Sequence, residues 1–124
     1  MNKKILIINC GSSSLKWQLF KNHTSLTCLN KGIIDRIRTK KHMTHQKALE
    51  TCLQQLLSLK IISQYKDIGW VGHRVVHGGT KYYKTTRLTP KVIRDIQALS
   101  SLAPLHNPPN LEGITACKKL LPDA

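Results

Sequence analysis

Acidic residues are scarce in this chain: six Asp and Glu stand against twenty Lys and Arg, a formal charge of +14 over 124 residues. Aromatics make up only 5%, so aliphatic side chains must supply most of a core. No apolar run approaches the roughly 20 residues that cross a bilayer. Lys3-Lys4 precede an apolar run of only four residues, too short for a secretory signal. Cys10, Cys28, Cys52 and Cys117 are scattered with no C-x-x-C pair, which speaks against a disulfide framework and for reduced thiols. The expectation is a soluble, cytoplasmic chain.

The gaps extend to chemistry. No Ser-His-Asp order and no pair of catalytic carboxylates can be assembled, which argues against acid–base hydrolysis. His73 and His77 stand four apart but lack a third ligand at suitable spacing, so a zinc site is not expected. The densest basic run, Arg36, Arg38, Lys40, Lys41 and Lys47 with His42 and His45 interleaved, has no aromatic stacking platform. It reads as a solvated loop and helix start rather than a nucleic-acid surface.

What is present is an alternation of short strands and amphipathic helices. Ile5-Leu6-Ile7-Ile8 makes a short buried strand, Gly11-Ser12-Ser13-Ser14 breaks it, and Leu15 to Phe20 resumes an alternating pattern. Thr24 to Leu29 is a third strand, interrupted at Lys31-Gly32 before Ile33-Ile34. Thr44 is placed to cap a helix running to about Ser63, with Ala48, Cys52, Leu53, Leu56 and Leu57 on its apolar face. Ile68 to Val76 reads as an apolar strand carrying His73-Arg74 and ending in a glycine turn. Thr89-Pro90 opens a second helix with Val92, Ile93, Ile96 and Leu99 as its stripe. A proline-stiffened loop, Leu102 to Asn110, leads into a last helix that Asn107 can cap and Pro122 closes. A strand after a helix suits an α/β layer. The absence of a closing strand reads as a domain cut short.

Three places stand out. A glycine-serine turn between strands can direct N–H groups and hydroxyls toward an anion, although it lacks the Gly-Lys-Ser/Thr ending and helix of a P-loop. Arg74 lies among apolar residues, where a charge is costly unless paired, and its planar fork suits a carboxylate or phosphoryl group. A salt bridge to Asp67 or Glu112 is the plainer alternative. His106 is held between prolines, either to donate to a phosphoryl oxygen or to satisfy a carbonyl.

Taken together, Ile8-Asn9-Cys10-Gly11-Ser12-Ser13-Ser14-Leu15-Lys16, Val71-Gly72-His73-Arg74-Val75-Val76-His77-Gly78-Gly79 and Leu102-Ala103-Pro104-Leu105-His106-Asn107-Pro108 resemble the acetate kinase family, in that family's order. The resemblance implies an actin/hexokinase/Hsp70-like, ribonuclease H-like α/β ATPase domain, whose mixed sheet opens with antiparallel strands and is flanked by helices. Residues 1–124 would be the incomplete N-terminal domain, without the C-terminal one. It implies the reaction ATP + acetate ⇌ ADP + acetyl phosphate with Mg²⁺, and a homodimer at full length. By motif, Asn9 helps place the Mg²⁺–phosphate assembly, and Ser12, Ser14 and Lys16 belong to the phosphate-side turn. Arg74 would hold the carboxylate or phosphoryl group, Val76 and Leu105 would line the pocket for the acetate methyl, and His106 would bond the phosphoryl oxygens. The family's catalytic aspartate segment is absent, and the stretch between Phe20 and Trp70 is short for the family. Residues 1–124 alone are therefore not expected to turn over. Propionate kinase is the close alternative, because one methylene changes discrimination by only about 1–3 kcal/mol; a basic nucleic-acid-binding fragment is the alternative from another class.

Overall fold

The computed structural model describes residues 3–37, 43–76 and 78–124. Much of the basic run (Arg38, Lys40, Lys41 and His42) and His77 lie outside them. Four strands form one mixed sheet: β1 (Lys4–Cys10), β2 (Leu15–Lys21), β3 (Thr27–Ile34) and β4 (Ile68–His73), in the order β3-β2-β1-β4. The first three pair antiparallel as a meander, and β4 joins β1 in parallel after a crossover through helix α1 (His45–Ser58). Helices α2 (Pro90–Ala98) and α3 (Asn107–Leu120) follow. The expected α/β class, with a mixed sheet opening antiparallel, is what the chain adopts.

Alternation decides which face is covered. Leu6, Ile8 and Cys10 of β1 and Leu15, Trp17 and Leu19 of β2 are buried together under α1 and α3. Leu49, Cys52, Leu53 and Leu56 meet them from α1, and Ala116 and Cys117 from α3. A smaller cluster, Val92, Ile96, Leu111 and Ile114, fastens α2 to α3.

Both threonine caps form as expected: Thr44 accepts from the Lys47 N–H and Thr89 from the Val92 N–H. Helix α1 stops at Ser58 rather than near Ser63. Lys60 adopts φ +58°, and the N–H groups of Lys60 and Ile61 return to the carbonyls of Leu57 and Leu56. This is the Schellman pattern, with lysine where glycine is usual. It turns Ile62 into the core.

Strand β3 is continuous from Thr27 through Gly32 to Ile34, correcting the expected interruption. Gly32 pairs with Trp17, and a β-carbon there would lie 2.3 Å from the indole. The glycine leaves room for the ring instead of ending the strand. His106, not Asn107, occupies the N-cap position of the third helix, without a side-chain cap hydrogen bond; Asn107 is instead the first helical residue and fully buried. His45 is not part of a solvated basic loop: it is the buried first residue of α1.

Candidate functional site

The turn Gly11–Ser14 closes the β1–β2 hairpin, with Cys10 opposite Leu15. Several carbonyls at and next to the turn are held. Asn110 Nδ2 donates to the Cys10 carbonyl at 2.7 Å, and His45 Nε2 donates to the Gly11 carbonyl at 2.7 Å. The Ile37 N–H donates to Ser13 and the Gly11 N–H to Ser14, each at 2.9 Å. A trans peptide points its C=O and N–H in opposite directions, and this chain has no cis bonds among the described residues. Drawing the Gly11 and Ser13 carbonyls onto His45 and Ile37, both buried, therefore turns the Ser12 and Ser14 N–H groups the other way. Ser12 and Ser13 are exposed.

Beside this turn, on the sheet face opposite the helices, Asn9 and Lys16 are cross-strand partners. The Arg74 N–H continues the parallel pairing by donating to the Ile8 carbonyl at 3.1 Å, which brings Arg74 alongside. All three line one open cavity of about 660 Å³ that Ile7, Gln18 and Ile33 also border. The cavity carries Lys16 and Arg74 at the turn end and mixes Ile7 and Ile33 with Gln18 and Lys31 along the sheet.

Arg74 is exposed, not buried as its apolar neighbours suggested. Strand β4 is the sheet edge and ends at His73, so the side chain leaves the sheet into solvent. Neither acid proposed as its partner pairs with it. Glu112 meets His45 Nδ1 at 2.6 Å, and Asp67 accepts from the Ser63 N–H and hydroxyl. Those contacts hold the Asp67 carboxyl below its ordinary range, the backbone hydrogen bond from Ser63 contributing most. Among the described residues Arg74 makes no ion pair and stays available for an anion.

Val76 and His106 border the same end. Asn110 accepts the Val76 N–H at 3.1 Å while holding Cys10, and its own N–H donates to the His106 carbonyl. Val76, Leu105 and His106 are all exposed, and Leu105 is 71% so. Ser12, Ser14, Val76, Leu105 and His106 do not line the cavity that gathers Asn9, Lys16 and Arg74. His73 is pushed down to about 4 by burial, so it is neutral near pH 7 and contributes no charge. Burial pushes Cys10, Cys52 and Cys117 up to about 12, leaving them as protonated thiols.

His45, Asn110 and Glu112 were missed as site residues by sequence reading. Their partners lie 34, 100 and 67 residues away. The one local signal was a histidine directly after a good helix cap.

The sequence profile of the acetokinase family matches residues 4–44 and 37–124. Acetate kinase of Clostridium botulinum (strain Langeland / NCTC 10281 / Type F) is 42% identical over 96% of this chain and 34% of its own length. Acetate kinase 1 of Lactococcus lactis subsp. lactis (strain IL1403) is 41% identical over 98% of this chain and 35% of its own. Among solved structures, acetate kinase of Porphyromonas gingivalis superposes with a TM-score of 0.87 at 36% identity, over 97% of this chain and 35% of that one. A propionate kinase from Francisella tularensis subsp. tularensis SCHU S4 gives 0.72 at 27% identity, over 98% and 35%. This chain spans about a third of the length of the relatives it matches.

Proposed function

The chain belongs to the acetokinase family, and from that premise we propose that it forms the N-terminal, phosphate- and carboxylate-holding part of an acetate kinase. The reaction is Mg²⁺-dependent, reversible phosphoryl transfer: an acetate oxygen bonds to the γ-phosphorus of ATP, the bond to the β–γ bridging oxygen breaks, and ADP leaves with that electron pair. Residues 1–124 act as an incomplete domain that does not turn over alone. The observation that carries this reading is the meeting of Asn9, Lys16 and Arg74 in one cavity beside a turn whose Gly11 and Ser13 carbonyls are held by His45 and Ile37.

Phosphoryl transfer asks the protein mainly for positioning and charge neutralisation. Lys16 and the Ser12 and Ser14 groups would face the nucleotide phosphates. Arg74 would grip the carboxylate or the transferring group in bidentate fashion. His106 would donate to phosphoryl oxygens as charge spreads over them, and Val76 and Leu105 would receive the methyl once covered. Asn9, which borders the cavity with Lys16 and Arg74, has a carboxamide oxygen that would add one neutral ligand to a Mg²⁺ held through phosphates and water. Bound there, Mg²⁺ would neutralise charge on the phosphate oxygens.

The test is an NMR titration of the 124-residue chain with MgADP and with acetyl phosphate. Shifts confined to Asn9–Lys16 and Arg74, and lost in a K16A/R74A variant, are expected. No saturable shift, or shifts that persist in the variant, would overturn the reading. The likeness to a propionate kinase keeps propionate as a competing acceptor, and acetate against propionate kinetics in a full-length relative carrying this segment separates the two.

A further inference from the structure

We infer that His45, backed by Glu112, is a positioning residue that sets the direction of the Gly11–Ser12 peptide and so presents the Ser12 N–H to a bound phosphate. The ligand part of this inference rests on the reading above; the positioning part does not.

His45 is 2% exposed at the first position of α1, one residue after the Thr44 cap that fixes where the helix begins. Both ring nitrogens face oxygen. The Gly11 carbonyl can only accept, so Nε2 carries a proton and donates across 2.7 Å. Nδ1 lies 2.6 Å from Glu112 Oε2, within hydrogen-bonding distance. The ring is therefore gripped at both edges and cannot rotate about its bond to the chain without losing a part-buried hydrogen bond. Peptide planarity carries that constraint one bond further: with the Gly11 carbonyl held on the core side, the Ser12 N–H must face outward. Asn110 performs the same service one peptide earlier, at Cys10. The turn needs such clamps because Gly11 has no side chain of its own to fix its orientation.

A merely structural role predicts something different. If His45 only joined α1 to α3, its loss would loosen both helices and spare the turn no more than its surroundings. The two roles separate by residue-resolved amide exchange on H45A and H45Q of the 124-residue chain. Glutamine reaches about as far as the imidazole and keeps a donor for the Gly11 carbonyl. In H45A, exchange at the Gly11 and Ile37 amides, whose hydrogen bonds to the Ser14 and Ser13 carbonyls close the turn, should rise about tenfold relative to the helices, the size expected for losing one part-buried hydrogen bond. H45Q should return it to near the wild-type rate. MgADP affinity should fall and recover in step. Uniform acceleration across α1, α3 and the turn, or an H45Q that behaves like H45A, would overturn the inference. If H45A does not fold, E112A replaces it: freeing Nδ1 should produce a smaller change of the same local pattern, and an unchanged turn would overturn the inference. If the wild-type chain binds neither MgADP nor acetyl phosphate, the phosphate reading fails, and the exchange pattern alone still decides the role of His45.

Discussion

Asn110 holds Cys10 across 2.7 Å and 100 residues of sequence, and its other carboxamide atom accepts the Val76 N–H. One buried side chain thus ties the ends of the two parallel strands to the first turn of α3. Replacing it with aspartate keeps the shape and removes the donor, leaving the Cys10 carbonyl facing a second acceptor. N110D should lose about 1–3 kcal/mol of stability, read as a lower urea midpoint with an unchanged slope. An unchanged midpoint would mean that the bridge contributes nothing.

Gly32→Ala should also destabilise, by about 1–3 kcal/mol. Its β-carbon meets the Trp17 ring at 2.3 Å, and the indole is fixed by its hydrogen bond to Asn30. The change in Trp17 fluorescence, compared in a W70F background, reports whether the ring is displaced. A silent substitution would show that the β3 edge yields freely.

Arg74→Lys should separate binding from folding. Arg74 is exposed and without an ion pair among the described residues, so the melting temperature should hold within the equivalent of about 0.5 kcal/mol. Acetyl phosphate affinity should fall about tenfold as the two-pronged contact is lost. A loss of stability equal to the loss of affinity would place Arg74 in the scaffold instead.

The pH dependence follows from His73, whose value sits at about 4 against an ordinary 6.5. The unfolded chain binds this proton first, so stability is fully present above about 6.5, declines as the pH falls, and is lost by about 4. The span corresponds to about 3 kcal/mol or slightly more. Asp67, held below its ordinary value, adds a loss of the same sign at lower pH. In H73N the slope between pH 6.5 and 4 should flatten while the lower step remains. An equal slope in both proteins would assign the transition to other groups.

Features written in neighbouring residues were legible from sequence. Thr44 and Thr89 cap as expected because a cap depends on a donor three positions on. The Ile5–Ile8 and Leu15–Phe20 strands and the order of the three motifs also came through. Misreadings arose where the deciding partner was remote. Gly32 looked like a break because nothing local announces the Trp17 ring beside it. Arg74 looked buried because an edge strand and a central one share the same apolar flanks. His45 looked like one more cation of a basic segment, since Glu112 and Gly11 reach it only through the fold. The comparisons place the chain in its family.

The 100-residue reach of the Asn110 clamp also has a timetable. Chains emerge from synthesis N-terminus first, at about 5–20 residues per second, so the serine turn precedes its asparagine by roughly 5–20 s. A hairpin forms in microseconds. The β1–β2 pair therefore exists long before its turn acquires a final shape, which waits until residue 110 has emerged to reach back to Cys10.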